Sequence, residues 1–251
     1  MRASFFFILL LLVACSSDPP IEGEYIYRKS GEHFYRPDST AYRTRALYPW
    51  EQSYVGNHPR ITREFFRCKG SHCNPVRLIE EGEQTVRLCD CDGHGLPQRG
   101  GEPYIAQVLI DLLNYIQEET GSRVVITCGH RCPAHNRYSD PRPFNQTSKH
   151  MIGAEADFYV QGMEGEPESI IELIQEFCPD APFERYYKEN TDVSTPPWYN
   201  RELFVKLYRE DEGRDLDNRH PYPYIGVQVR YDRDLEERVV YSWERARAYF
   251  R

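Results

Sequence analysis

Beyond its first thirteen residues the chain has no apolar run approaching the eighteen or so residues that a membrane-spanning helix needs, so all that follows reads as soluble. It also lacks a basic excess, since 31 Lys and Arg stand against 39 Asp and Glu for a formal charge of −8. That balance excludes nucleic acid gripped through its phosphates and argues against electrostatic binding to an anionic surface. What remains of the 251 residues fits one domain of ordinary size with a smaller appendage. The 19 Tyr and 18 Pro mark a loop-rich chain.

The apolar run that does exist is short. Met1 to Ser4 gives a positive lead, Phe5 to Val13 is apolar, and Leu12-Val13-Ala14-Cys15 ends the run with small residues. This is a secretory signal, too short to span a bilayer. Its Leu-x-Ala-Cys ending resembles a bacterial lipobox, which implies lipidation of Cys15 as the first mature residue, and Ser16 after it implies the outer membrane, periplasmic side, of a bacterial cell envelope. Residues 16–60 show little periodicity and read as a linker and irregular segment. Residues 61–100 hold Cys68-x4-Cys73 and Cys89-x-Cys91. Four thiols could bind a structural zinc, but the export signal implies an oxidising compartment, and disulfides are the expectation. Apart from Cys15, seven cysteines remain, an odd number that leaves at least one unbridged within the chain. Cys128 and Cys132 could bond to each other or to the N-terminal group.

Helical spacing of Ile105, Val108, Leu109, Leu112, Leu113 and Ile116 predicts a helix over 103–120, stopped by Gly121. A second helix is expected over 167–177, a short one near 133–137, and a closing one over 243–250. Strands are expected at 124–127, from Asp157 onward and at 203–208. Hairpins are expected within 76–88 and between 224–230 and 238–241. The order implies an α+β fold, an antiparallel sheet with helices packed on one face, spanning 101–251, plus the small Cys-rich N-terminal subdomain.

The chemistry concentrates in Ser148-Lys-His150-Met-Ile-Gly153-Ala-Glu155-Ala-Asp157. A histidine and a carboxylate on either side of a tight turn into a strand suit Zn²⁺, and equally suit a hydrogen-bonded loop His and a capping Asp. Upstream, the β-branched run Val124 to Thr127 ends in Cys128-Gly-His130-Arg131-Cys132-Pro-Ala-His135-Asn136. Together the two stretches resemble the zinc D-Ala-D-Ala carboxypeptidases and related endopeptidases of the hedgehog-type fold, whose pattern runs Gly-Tyr-Arg-Ser-Pro-x-His-Asn, then Ser-x-His-x-x-Gly-x-Ala-Ala-Asp. The resemblance implies zinc on His150 and Asp157, Arg131 holding a substrate carboxylate, Ser148 hydrogen-bonding the scissile region, and peptidoglycan stem peptides as substrate.

The resemblance breaks further on. Laying Tyr224 to Arg230 on the family's Trp-x-His-Val-Asp-Val-Arg puts Gly226 at the third zinc ligand and Pro223 near the acidic base. His220 is the only histidine after Asp157, which makes it the candidate displaced ligand, with His130 and Cys128 behind it. Asp215, Asp217 and Glu155 are the candidate general bases. Two classes of function stay open: a zinc peptidase, and an inactive relative that binds cell-wall peptide or a protein partner.

Overall fold

The computed structural model of the chain describes residues 53–71, 74–75, 77–81, 84–88, 95–139, 147–187 and 192–246. The signal, Cys15, residues 16–52 of the expected linker, Cys73, Cys89 and Cys91 lie outside the described residues; 53–60, expected to be irregular, hold a short antiparallel pair, Tyr54–Val55 with His58–Pro59. The centre of the fold is a six-stranded sheet of β1 (Val124–Cys128), β2 (Glu155–Val160), β3 (Glu184–Arg185), β4 (Trp198–Tyr199), β5 (Leu203–Tyr208) and β6 (Tyr224–Val229). Its order is β3-β4-β5-β6-β2-β1, and every neighbouring pair is antiparallel. The α+β expectation with an antiparallel sheet holds at this level.

Strand alternation decides which face does what, because successive side chains leave a strand on opposite sides. Ala156, Phe158 and Val160 of β2, Ile225, Val227 and Val229 of β6, and Leu203, Val205 and Leu207 of β5 are all buried in one core. Onto that core pack helices α1 (Gln107–Thr120) and α3 (Pro167–Glu176), which bury Leu109, Leu112, Leu113, Ile116, Ile170 and Ile174. Burying one such side chain is worth about 1.5–3 kcal/mol. The other residues of the same strands, among them Glu155, Asp157, Lys206, Tyr208, Gly226 and Gln228, are left for the opposite, open face.

Helix α1 begins later than its apolar spacing predicts, because Glu102–Pro103 forms a two-residue strand and Ile105 is buried in the lead-in. Gly121 ends it in the left-handed conformation at φ 60°. The segment ahead of α1 docks through Asn114, whose side chain accepts from the Ile61 amide and donates to the Ile61 carbonyl, each at 2.8 Å. Ile61, Phe66 and Leu96, from the stretch expected to form the Cys-rich subdomain, are buried in the main core. Of the hairpin expected within 76–88, Arg77–Glu81 is paired with Gln84–Leu88.

One expectation is corrected. Tyr224 to Val229 does not pair with 238–241 but lies between β5 and β2; the local hairpin joins Tyr231–Asp232 to Glu237–Arg238. An alternating apolar strand is stabilised best between two partners, and β6 takes that central place. The closing helix is described over Trp243–Ala246.

Candidate metal centre and pocket

The site is built where β1 and β2 end on the open face. A single 3-10 turn, Lys149–Ile152, carries His150 into the interior. Ser148 caps it, its hydroxyl accepting the His150 amide at 3.1 Å. Gly153 closes it at φ 71°, and a Cβ there would lie 2.6 Å from the Tyr104 carbonyl oxygen, so both the conformation and the space demand glycine. The next residues enter β2, and Glu155 and Asp157 therefore emerge on one face, two positions apart.

His150 Nδ1 lies 2.7 Å from the Gly129 carbonyl oxygen and donates to it. That bond turns Nε2 toward two carboxylates, Asp157 Oδ2 at 3.6 Å and Glu155 Oε1 at 3.7 Å. Burial works against protonating this imidazole, but the Cys128 sulfur and the two carboxylates outweigh it and raise its pKa well above the ordinary value. Asp157 is held below the usual range by His150 and Arg131 despite its burial. Asn218 Nδ2 donates to Asp157 Oδ2 at 2.7 Å and is itself fixed by Thr127 Oγ1 at 2.6 Å.

The third member is Cys128, paired with Asp157 across β1 and β2. Its Sγ lies 3.4 Å from His150 Nδ1, and burial pushes its thiol up to about 12. One ligand atom each from Cys128, His150 and Asp157 come within 4.8 Å of one another. The donor set of imidazole, carboxylate and sulfur suits zinc, and a histidine tied by its second nitrogen to a backbone carbonyl is the arrangement metal-binding histidines use. The residues present fit the ion.

Gly226 sits opposite Asp157 in the β2–β6 register. The ring of Tyr208 lies against it and stacks on Tyr224 with centroids 4.5 Å apart and planes 8° apart. His220, the ligand expected from sequence, is not in the group that gathers within 4.8 Å; its ring packs against Tyr159 at 5.2 Å and Tyr224 at 5.6 Å. His130 Nδ1 instead faces the Gly95 carbonyl at 3.0 Å.

Around these residues opens a pocket of about 290 Å³ lined by Arg131, Ser148, Glu155, Lys206, Asp215 and Gln228 among others. Arg131 is clamped, its Nε donating to Asp217 Oδ2 at 2.7 Å and an Nη to Asp215 Oδ2 at 2.5 Å. Asp215 and Asp217, expected as candidate bases, are thus Arg131's counter-ions. Burial raises the Asp215 carboxyl, whereas His135 and Arg131 overcome burial at Asp217 and hold it well below the usual range. Glu155 is the carboxylate with a different setting. Gln228 Nε2 donates to its Oε1 at 2.7 Å and Ser148 Oγ to its Oε2 at 3.3 Å.

Comparison with known families gives one match, in which the Peptidase M15 model covers residues 84–181. That span includes Cys128, Arg131, Ser148, His150 and Asp157, and stops before β5, β6 and the loop bearing Asp215, Asp217 and His220. No curated protein and no solved structure matches the chain significantly.

Proposed function

We propose, from the match of residues 84–181 to the Peptidase M15 model, that the protein is a zinc-dependent, peptidase-like lipoprotein acting on peptidoglycan stem peptides, of the D-Ala-D-Ala carboxypeptidase or endopeptidase type. The observation that carries this reading is His150, its Nδ1 committed to a carbonyl and its Nε2 aimed between two carboxylates. His150, Asp157 and Cys128 are the residues that would hold the metal. A bound Zn²⁺ supplies Lewis acidity, polarising a peptide carbonyl and favouring hydroxide over water.

The chain's own groups do the rest. Arg131, whose guanidinium has five N–H donors, gives two to Asp215 and Asp217 and lines the pocket, rigidly placed to receive the terminal carboxylate of a stem peptide. Glu155 is placed to accept the proton of the attacking water and return it to the leaving amine, with Gln228 and Ser148 fixing its two oxygens. The test is zinc content and hydrolysis of a peptide ending in D-Ala-D-Ala, measured on wild type and His150→Ala. Hydrolysis and the zinc equivalent held at this centre should be lost together in the variant. A wild type whose zinc content is unchanged by His150→Ala and which cleaves no such peptide rejects the reading.

A second reading, a stem-peptide binder without hydrolysis, draws on the Tyr208 ring lying against Gly226, where the family's third ligand would stand. Binding of the same peptide without turnover would select it. The lipoprotein part rests on Leu12 to Cys15. Cys15→Ser should release the chain from membranes, and unchanged partitioning overturns it.

A further inference from the structure

The loop that clamps Arg131 is itself held by one side chain. The described residues 209–222, between β5 and β6, form no helix or strand, so their backbone carbonyls must find partners outside any ladder. Arg214 supplies them. Its Nε donates to the Glu210 carbonyl at 2.7 Å, one Nη to the Asn218 and His220 carbonyls at 2.9 and 3.0 Å, and the other to the Arg209 and Tyr222 carbonyls at 2.7 and 3.0 Å. A guanidinium has five N–H donors in a fixed plane, and all five are used on this loop.

Those carbonyls lie on both sides of Asp215 to Asp217, so Arg214 ties the two limbs of the loop together and leaves the clamping segment between them. Within that segment Asp215 Oδ1 accepts the Asp217 and Asn218 amides, each at 3.0 Å, while its Oδ2 takes Arg131. Asp217 is shared with α2 (Pro133–Ser139), whose His135 Nε2 lies 3.0 Å from Oδ1 and whose Ser139 Oγ donates to Oδ2 at 3.2 Å. Beside Arg214, Gly213 turns at φ 58°, and a Cβ there would lie 2.1 Å from the Tyr208 ring. The Arg214 guanidinium stands 5.2 Å from the centre of the Tyr224 ring. The loop is thereby seated against the stacked tyrosines that line the pocket.

We propose that Arg214 is a positioning residue that makes the pocket select a free terminal carboxylate, which rests on the reading that Arg131 receives that group. Arg214 lines no part of the pocket. It acts by holding Asp215 and Asp217 on Arg131, which keeps the remaining donors of that guanidinium in one orientation. Pairing of arginine with carboxylate depends on such direction as well as on charge. Without the clasp Arg131 keeps its charge and loses its direction, and a carboxylate is distinguished less well from a carboxamide.

The experiment compares a peptide ending in D-Ala-D-Ala with its C-terminal amide on the full chain at saturating zinc, reading KM and kcat, or Kd where the peptide binds without turnover. Wild type should favour the acid at least about tenfold, the worth of a hydrogen bond to a charged group. Arg214→Ala should cut that preference several-fold by raising KM or Kd for the acid alone. Should Arg214→Ala fail to fold, Arg214→Lys, with three donors in no fixed plane, should show the same loss. An unchanged preference overturns the proposal, as does equal weakening of acid and amide, which would make Arg214 a stability residue alone. A wild type that binds both peptides equally, or neither, strikes instead at the role given to Arg131, and this inference falls with it.

Discussion

Gly226 faces Asp157 so closely that a Cβ on it would lie 3.0 Å from Asp157 Oδ1 and 3.1 Å from Tyr208 Cε2. Any larger side chain there enters the site and must displace the Tyr208 ring. Gly226→His alone should therefore cost about 1–3 kcal/mol, the usual range for overpacking, seen as a lower urea midpoint. Combined with Tyr208→Ala, which vacates the space, it should bring a third nitrogen to Asp157 and raise zinc affinity at least about tenfold. Equal affinity in the double variant and wild type would show that β6 no longer addresses the centre.

Arg131 and Asp217 form a buried pair, with side chains 5% and 3% exposed. Removing one partner of such a pair costs about 3–5 kcal/mol, and Asp217→Ala should lose that much in urea unfolding. Linkage gives the pH dependence. The folded pKa of Asp217 is depressed, so its contribution is complete above the unfolded value near about 3.9 and disappears as pH falls through the folded one. Wild type should weaken below about pH 4, and Asp217→Asn should weaken less steeply. Asp215, raised by burial, acts in the opposite sense.

The sequence carries the local parts of this site well. Ser148 to Asp157 encodes a capped turn, a left-handed glycine and a strand within ten residues, and alternation in β2, β5 and β6 announces which side chains face the core. Contacts between distant segments are a different matter. The clamp on Arg131 comes from residues 84 and 86 positions away, and nothing local distinguishes a carboxylate that will neutralise arginine from one that will take a proton. Cys128 joins His150 and Asp157 through the β1–β2 register, which is shifted by an irregularity at Asp157/Phe158, so its place could not be counted off. His220 carries metal-ligand chemistry, but its neighbours are the aromatic rings of Tyr159 and Tyr224. A clue was available for Glu155, which stands where the resembling family carries alanine, beside the strand that lost its usual ligand.

Gly153 offers a test of how the turn sets His150. Gly153→Ala forces a left-handed alanine, about 1–2 kcal/mol by itself, and drives a methyl to within 2.6 Å of the Tyr104 carbonyl. The Gly153 carbonyl also accepts the Ala106 amide at 2.9 Å, so relief by moving the turn breaks a bond to the start of α1. A loss of at least about 2 kcal/mol in urea unfolding is expected, together with weaker zinc binding. Unchanged stability would mean that the turn is softer than its contacts imply.

Glu155 separates proton transfer from metal binding. If it takes the water's proton, Glu155→Gln keeps the shape and both neighbouring hydrogen-bond partners, Gln228 and Ser148, but cannot accept a proton. General-base catalysis is worth about 10²–10⁴-fold, so kcat on a D-Ala-D-Ala peptide should fall by that factor. KM and zinc stoichiometry should stay as in wild type. The alternative outcome is equally specific. Glu155 Oε1 lies only 3.7 Å from His150 Nε2, close enough for the two to share an ion at bond lengths near about 2.0–2.2 Å. Zinc lost along with activity in Glu155→Gln would therefore move Glu155 from proton acceptor to ligand, while Cys128→Ser, retaining its zinc, would lose its place in the donor set.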